Sequence, residues 1–256
     1  MQSLSSMAVE ELLDTCPVHG PFVGGALMIS GKQVMRRHCS RCLNDREATA
    51  EVARAALEGK ARQGQAEARW RALGAPARFE KASLDTYLLV ADARQQHAID
   101  RARWFADTWR ERRELGTSMI LSGKPGTGKT HLAIGIARAV VAAGASALYS
   151  SVGDAMRGIR QSYGDGAKRT EAQAIEVFVA PDLLVLDEVG ASGGSEHEHR
   201  MFFEIANKRY EQARCTLLVS NLMGEDLRTF LGDRVLDRMR DGGGKLLAFE
   251  WASFRK

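Results

Sequence analysis

The sequence predicts an α/β fold: a five-stranded parallel sheet covered by helices on both faces, preceded by a small cysteine-bearing module and one linker helix. Three observations carry this. Apolar runs of strand length alternate with helical stretches from Phe79 onward. A glycine-rich loop stands between one such run and the helix after it. Three of the four cysteines, Cys16, Cys39 and Cys42, precede a polar stretch rich in Ala, Glu, Arg and Gln.

The first zone, residues 1–46, holds Cys16-Pro17-Val18-His19 and Cys39-Ser40-Arg41-Cys42, a C-x₂-H-x₁₉-C-x₂-C pattern. Between the two pairs lies a hairpin-like stretch, Ala26–Ile29, a turn at Ser30-Gly31-Lys32, and Gln33–Met35. Two knuckles with two-residue spacers suit a tetrahedral Cys₃His zinc ribbon with Cys16, His19, Cys39 and Cys42 as ligands. His38 is a competing ligand, but its neighbour Cys39 makes closure of both around one ion difficult. Four protein ligands leave no open position, so the expected role is structural. A module this short cannot bury enough apolar surface to fold without a staple.

Residues 47–74 have good helix composition and a weak apolar stripe of Val52, Ala56 and Leu57, which predicts a solvated linker helix over 47–72 ended by Gly74 and Pro76. The third zone, 75–256, opens with an amphipathic helix over 92–113, marked by Ile99, Ala102, Ala106 and Trp109. Strands are expected at 119–121, 147–149, 183–186, 216–219 and 246–249, with helices near 129–143, 152–162, 170–179 and 196–213. Such alternation implies a parallel sheet.

Composition narrows the function classes. With 45% apolar and 27% charged residues, the 256-residue chain is a folded protein. Its formal charge of +4 permits a nucleic-acid partner without requiring one. The longest apolar stretch, Leu132–Gly144, is broken by Arg138 and falls short of the ~18–20 residues that span a bilayer. No basic-then-apolar leader is visible before Glu11, so a cytoplasmic protein is expected. Thiols stay reduced there, which favours a metal over disulfides for the cysteines.

The chemistry is concentrated in Gly123-Lys124-Pro125-Gly126-Thr127-Gly128-Lys129-Thr130, which matches G-x-x-x-x-G-K-[ST] and sits between a strand and a helix. Glycines let backbone N–H groups converge on phosphate oxygens, and the helix N-terminus adds positive partial charge. Lys129 is placed to reach the β- and γ-phosphates of ATP, and the Thr130 hydroxyl to hold Mg²⁺. Downstream, Leu183-Leu184-Val185-Leu186 ends in Asp187-Glu188. Asp187 suits the magnesium side, and Glu188 suits a general base that polarises water for attack on the γ-phosphate. Asn221, at the end of the next strand, could reach the γ-phosphate or that water; it is equally a turn residue closing a strand.

With these residues assembled, the chain resembles the DnaC-like helicase loaders of the AAA+ superfamily over about residues 75–254, and more distantly the IstB-like transposition helper ATPases. The resemblance rests on Phe79, Ser83–Tyr87, Gly123–Thr130, Asp187–Gly190 and Asn207–Tyr210. It rests most on Leu231-Gly232-Asp233-Arg234-Val235-Leu236-Asp237-Arg238-Met239-Arg240 and the closing Phe249–Arg255. It implies an AAA+ ATPase without a helical lid domain, self-association into an open ring or spiral, and a DnaB-like replicative helicase as partner. Arg238 matches the arginine finger that reaches the nucleotide of an adjacent subunit; Arg234, one turn earlier, could share or take that role. The stretch 155–169, with Arg157, Arg160, Lys168, Arg169 and Tyr163, resembles an inserted element that touches single-stranded DNA.

The helicase-gripping helices of cellular DnaC have no match in residues 1–50, so the chain looks like a phage or prophage version whose ribbon and linker helix form the partner-binding arm. The rival reading is an IstB-like helper on duplex DNA. A metabolic P-loop kinase would not need Glu188 or an intersubunit arginine. Cys215, Trp104 and Trp109 read as core, His131 as packing at its helix start, and His197 and His199 around Glu198 as a solvated helix start.

Overall fold

The structure is a computed structural model that describes residues 7–29, 32–36, 38–89, 92–163, 167–191 and 196–255. The chain divides into two compact units, Met1–Gly64 and Gln65–Lys256. In the first, β1 (Met7–Cys16), β2 (Gly20–Ile29) and β3 (Lys32–Arg36) form an antiparallel sheet in that order. The anticipated hairpin corresponds to β2 and β3, and its turn at Ser30-Gly31 lies outside the described residues. Strand β1 was not anticipated, because Val9-Glu10-Glu11-Leu12-Leu13 does not alternate apolar with polar. It pairs along its whole length with β2, placing Cys16 opposite Gly20.

Helix α1 (Ser40–Ala72) starts at the second knuckle instead of at residue 47 and buries none of its residues, as its solvated composition implies. Just past its C-terminus, in the second unit, Leu73 is fully buried. The Leu73 carbonyl accepts the Tyr149 N–H at 2.7 Å, and the Arg138 guanidinium stacks 3.6 Å from the Trp70 ring.

The single helix expected over 92–113 is two, α2 (Ala93–Asp107) and α3 (Trp109–Leu115). Thr108 sits between them with non-helical backbone, its Oγ1 donating to the Trp104 carbonyl at 2.7 Å. Then follow β4 (Met119–Gly123), α4 (Lys129–Ala142), β5 (Ala147–Ser151), α5 (Val152–Arg160), α6 (Glu171–Val179), β6 (Leu183–Val189), α7 (Glu196–Glu211), β7 (Cys215–Ser220), α8 (Gly224–Arg240) and β8 (Lys245–Phe249). The five strands are parallel in the order β5-β6-β7-β4-β8.

Side chains alternate across this sheet with period two. Leu121, Val185 and Leu217 pack with Ile99 and Phe105 of α2 and with Leu132 and Ile136 of α4. Ile120, Leu184 and Leu218 pack on the other face with Ile159, Ile175, Phe202 and Val235 from α5 to α8. At roughly 1.5–3 kcal/mol per fully buried large apolar side chain, the two layers supply the stability of this unit. One charged residue lies wholly within it. Arg209 is fully buried and donates to the carbonyls of Phe178, Val179, Pro181 and Cys215 and to Thr216 Oγ1. It thereby ties the end of α6 to the starts of β6 and β7.

Candidate functional site

Strand β4 delivers its chain end to the sheet's carboxyl edge, where Gly123 (φ 146°) turns into the loop; a Cβ there would stand 2.2 Å from the Phe249 carbonyl oxygen. Thr127 Oγ1 closes the loop on the Lys124 carbonyl at 2.7 Å. The Thr127 carbonyl in turn accepts from Tyr87 Oη at 3.1 Å and Trp251 Nε1 at 3.0 Å. Gly128 (φ 89°) is the last residue before α4, and a Cβ on it would meet the Tyr87 ring at 2.7 Å. Lys129 folds back across the loop and donates to the Gly123 and Lys124 carbonyls at 2.7 Å each. Burial pulls its ammonium down to about 8; the Asp187 carboxylate opposes that shift and Arg255 adds to it.

Thr130 Oγ1 donates to Asp187 Oδ2 at 2.8 Å, so the loop's hydroxyl and the strand's carboxylate already meet across the site. Two hard oxygens this close, beside the phosphate loop, fit Mg²⁺, which takes few protein ligands and completes its shell with water and phosphate. Tyr149 Oη donates to the same Asp187 oxygen at 2.9 Å. Burial pushes its phenol above the ordinary tyrosine range, and Asp187 adds to the shift.

Glu188 has a left-handed backbone, φ 59°. The register explains it: Leu186 pairs with Leu218 and Val189 with Ser220, so Asp187-Glu188 is a bulge in β6. Glu188 lies exposed on the cleft wall while Asp187 beside it is buried. Ser220 Oγ pins the bulge by donating to the Val189 carbonyl at 2.7 Å. Asn221, the next residue, lines the same cleft.

The cleft measures about 470 Å³, within the usual range for a small-molecule site. Its walls bring together Lys129, Thr130, Asp187, Glu188 and Asn221 from the anticipated set. Gly126 and Gly128 line it too, with Pro125. Other lining residues, not foreseen as site residues, include Arg78, Phe79, Tyr87, Leu88, Phe254 and Arg255. Tyr87 and Phe254 meet edge to face at 6.2 Å, and the Phe254 N–H donates to the Gly126 carbonyl at 2.9 Å. Aromatic rings and cations lining one cleft suit a nucleotide's base and phosphates.

Arg234 and Arg238 do not line this cleft. Helix α8 is broken at Gly232 (φ 68°, ψ 157°), so both arginines lie on its second half. Arg234 is exposed and Arg238 half-buried. In the 155–169 stretch, Ala155, Met156 and Ile159 belong to the core, while Arg157, Lys168 and Arg169 are exposed. Tyr163 Oη lies 2.7 Å from His197 Nε2. Residues 164–166 of that stretch, and the glycine pair 193–194 before α7, lie outside the described residues. Cys215, Trp109 and the ring of Trp104 are packed in the core as anticipated.

In the first unit, Cys16, His19, Cys39 and Cys42 present ligand atoms all within 4.8 Å of one another. The β1–β2 turn supplies Cys16 and His19, and the start of α1 supplies Cys42. Cys42 Sγ lies 3.4 Å from Cys16 Sγ and 3.3 Å from His19 Nδ1, which is 3.8 Å from Cys16 Sγ and 3.7 Å from Cys39 Sγ. Zinc bonds of ~2.3 Å to sulfur and ~2.0 Å to nitrogen set tetrahedral edges of roughly 3.5–3.8 Å, so the donor set fits that ion. The amides of Val18 and His19 pull the Cys16 thiol down to about 6, which favours the thiolate a metal needs. His19 Nε2 pairs with Asp45 Oδ2 at 3.0 Å, which orients Nδ1 toward the three sulfurs.

A glycine loop, its lysine, a hydroxyl–carboxylate pair and a bulged acid, gathered at the carboxyl edge of this sheet, define an AAA+ P-loop ATPase. Residues 90–241 match the family described as IstB-like ATP binding protein, and the chain belongs to it. It is 33% identical over 178 residues to the replicative helicase loader DnaC of Buchnera aphidicola subsp. Acyrthosiphon pisum, covering 70% of this chain and 71% of that protein. It is 31% identical over 201 residues to the replicative helicase loader DnaC of Escherichia coli K12, covering 78% and 80%. A crystal structure of the DnaC helicase loader shares the fold, with a TM-score of 0.60 at 23% identity over 68% of this chain and 99% of that one. Among the described residues, no helix is long and apolar enough to cross a membrane.

Proposed function

We propose that this ATPase loads a hexameric, DnaB-like replicative helicase onto single-stranded DNA. The observation that carries the reading is the Arg234/Arg238 pair, which stands off its own cleft, Arg234 exposed and Arg238 half-buried, as arginines serving a neighbour's nucleotide would. Subunits would assemble in an open ring or spiral, each cleft completed by the next subunit's arginine. Lys129 and the loop amides bind the β- and γ-phosphates, Glu188 takes the proton of the attacking water, and Asn221 orients that water. Magnesium, held through Thr130 and Asp187, supplies charge neutralisation on those phosphates when bound. Assembly with ATP holds the helicase ring open, and hydrolysis releases the loader.

The basic residues of 155–169 contact the single strand. The N-terminal arm grips the helicase, with zinc on Cys16, His19, Cys39 and Cys42 as its structural staple. The match to IstB-like proteins favours a second reading, a transposition helper on duplex DNA. Light scattering on the protein mixed with its host's replicative helicase in ATP·Mg²⁺ separates the two. A stable co-complex, lost or changed in stoichiometry by Arg238→Ala, supports the loader. ATP-dependent filaments on duplex DNA without any helicase complex support the helper.

A further inference from the structure

Arg238 is held in an unusual way. Its guanidinium lies over the Tyr210 ring, 5.0 Å from the centroid. Its Nη1 is shut off from solvent with no hydrogen-bond partner among the described residues. The same tyrosine is bonded to Asp241, at the C-terminus of the helix that carries Arg238. Asp241 Oδ2 accepts from Tyr210 Oη at 2.9 Å and Oδ1 from the Gly242 N–H at 2.8 Å. Tyr210 itself stays 42% exposed, so its ring is not merely core filling.

From this arrangement we infer that Tyr210 is a positioning residue for the intersubunit arginine. Its ring holds Arg238 by a cation–π contact, and its hydroxyl anchors that ring to Asp241. An arginine stacked on a ring keeps its full charge and has no carboxylate to leave before reaching a γ-phosphate. The inference rests on the proposed role of Arg238 in a neighbouring cleft.

The test uses the full chain and ATPase kinetics in ATP·Mg²⁺. Tyr210→Leu, which removes ring and hydroxyl, should lower kcat about 10-fold while KM for ATP stays within about twofold, because each subunit's own cleft is intact. Tyr210→Phe keeps the ring but loses its anchor on Asp241, and should lose about threefold. Mixing Tyr210→Leu with Lys129→Ala should restore activity, since the first supplies an intact loop and the second an intact arginine shelf. Random one-to-one assembly completes about a quarter of the interfaces. Mixing Tyr210→Leu with Arg238→Ala should restore nothing.

A Tyr210→Leu enzyme with wild-type kcat, beside an inactive Arg238→Ala, overturns the positioning role and leaves the arginine's role standing. Wild-type kcat in Arg238→Ala overturns the intersubunit reading itself. Low activity in Tyr210→Leu that Lys129→Ala does not complement marks a merely structural tyrosine and also overturns the inference. Tyr210→Gln, suited to an exposed helix position, takes the place of the leucine variant if that one fails to bind ATP.

Discussion

In the unit that ends at Gly64, Cys16 and Cys39 are buried while Leu13, Val18 and Val23 are 84%, 75% and 68% exposed. In the unit that begins at Gln65, the apolar residues of five strands alternate into two packed layers. On the proposed zinc site, the small unit turns its sequence into structure through four ligand atoms, and the large one through apolar area. The difference follows from size: a short segment has too little interior to offset its chain entropy, so a cross-link must do so. It also predicts that the two units respond to different insults.

The largest effect should come from metal removal. Structural zinc in small modules contributes about 10–16 kcal/mol of apparent binding free energy, which is folding free energy there. Treatment with a strong chelator should therefore abolish the β1–β3 amide signals in NMR spectra while ATP titration of the other unit is unchanged. A β1–β3 sheet that survives chelation breaks the comparison. The converse insult is Arg209→Met. It strips hydrogen bonds from four carbonyls, three of them buried, and from Thr216, and should cost about 3–5 kcal/mol of the large unit's stability in urea melts. The β1–β3 signals should persist at urea concentrations where the variant's ATPase unit has unfolded.

What could be read in advance follows the same division. The loop 123–130, the acids 187–188 and the five strands were legible because each is specified within a few residues by spacing or period. So was the clustering of Cys16, His19, Cys39 and Cys42, since each knuckle's spacing is local. The Glu188 bulge was not legible: it exists only relative to β7, and nothing in Leu186-Asp187-Glu188-Val189 announces a left-handed residue. The aromatic lining of the cleft was hidden similarly. Phe79 and Tyr87 were visible as family residues, but their meeting with Phe254 and Arg255 joins segments more than 160 positions apart. The break at Thr108 lost to helical periodicity because a side-chain bond to the Trp104 carbonyl decides it.

Within the large unit, the comparison sharpens to chemistry against scaffold. Glu188→Gln keeps the bulge and the shape of the cleft but removes the base. ATPase kcat should fall by ~10²–10⁴-fold, with nucleotide affinity changed only a few-fold and the melting temperature unmoved. A stable variant that still hydrolyses ATP within about threefold of wild type would move the base elsewhere, and Asn221 would then orient a differently activated water.

The smallest effect concerns Asp182, at the opposite end of β6 from Glu188. Burial alone would raise its pKa, but the Ser146 N–H and hydroxyl, at 2.9 and 2.8 Å, with Arg113 and Arg214, at 2.9 and 2.8 Å, hold it below the usual aspartate value. A carboxyl whose folded pKa is depressed binds fewer protons in the native state than unfolded, so its contribution is complete above the unfolded value of about 4. It fades as pH falls through the folded value. Asp182→Asn should therefore cost about 1–3 kcal/mol at pH 7, and the gap to wild type should narrow when both are melted near pH 3. A gap that stays constant between those pH values would mean that Asp182 acts through shape and not charge. The network with Arg113 and Arg214 would then be ornament on a unit that its apolar layers already hold.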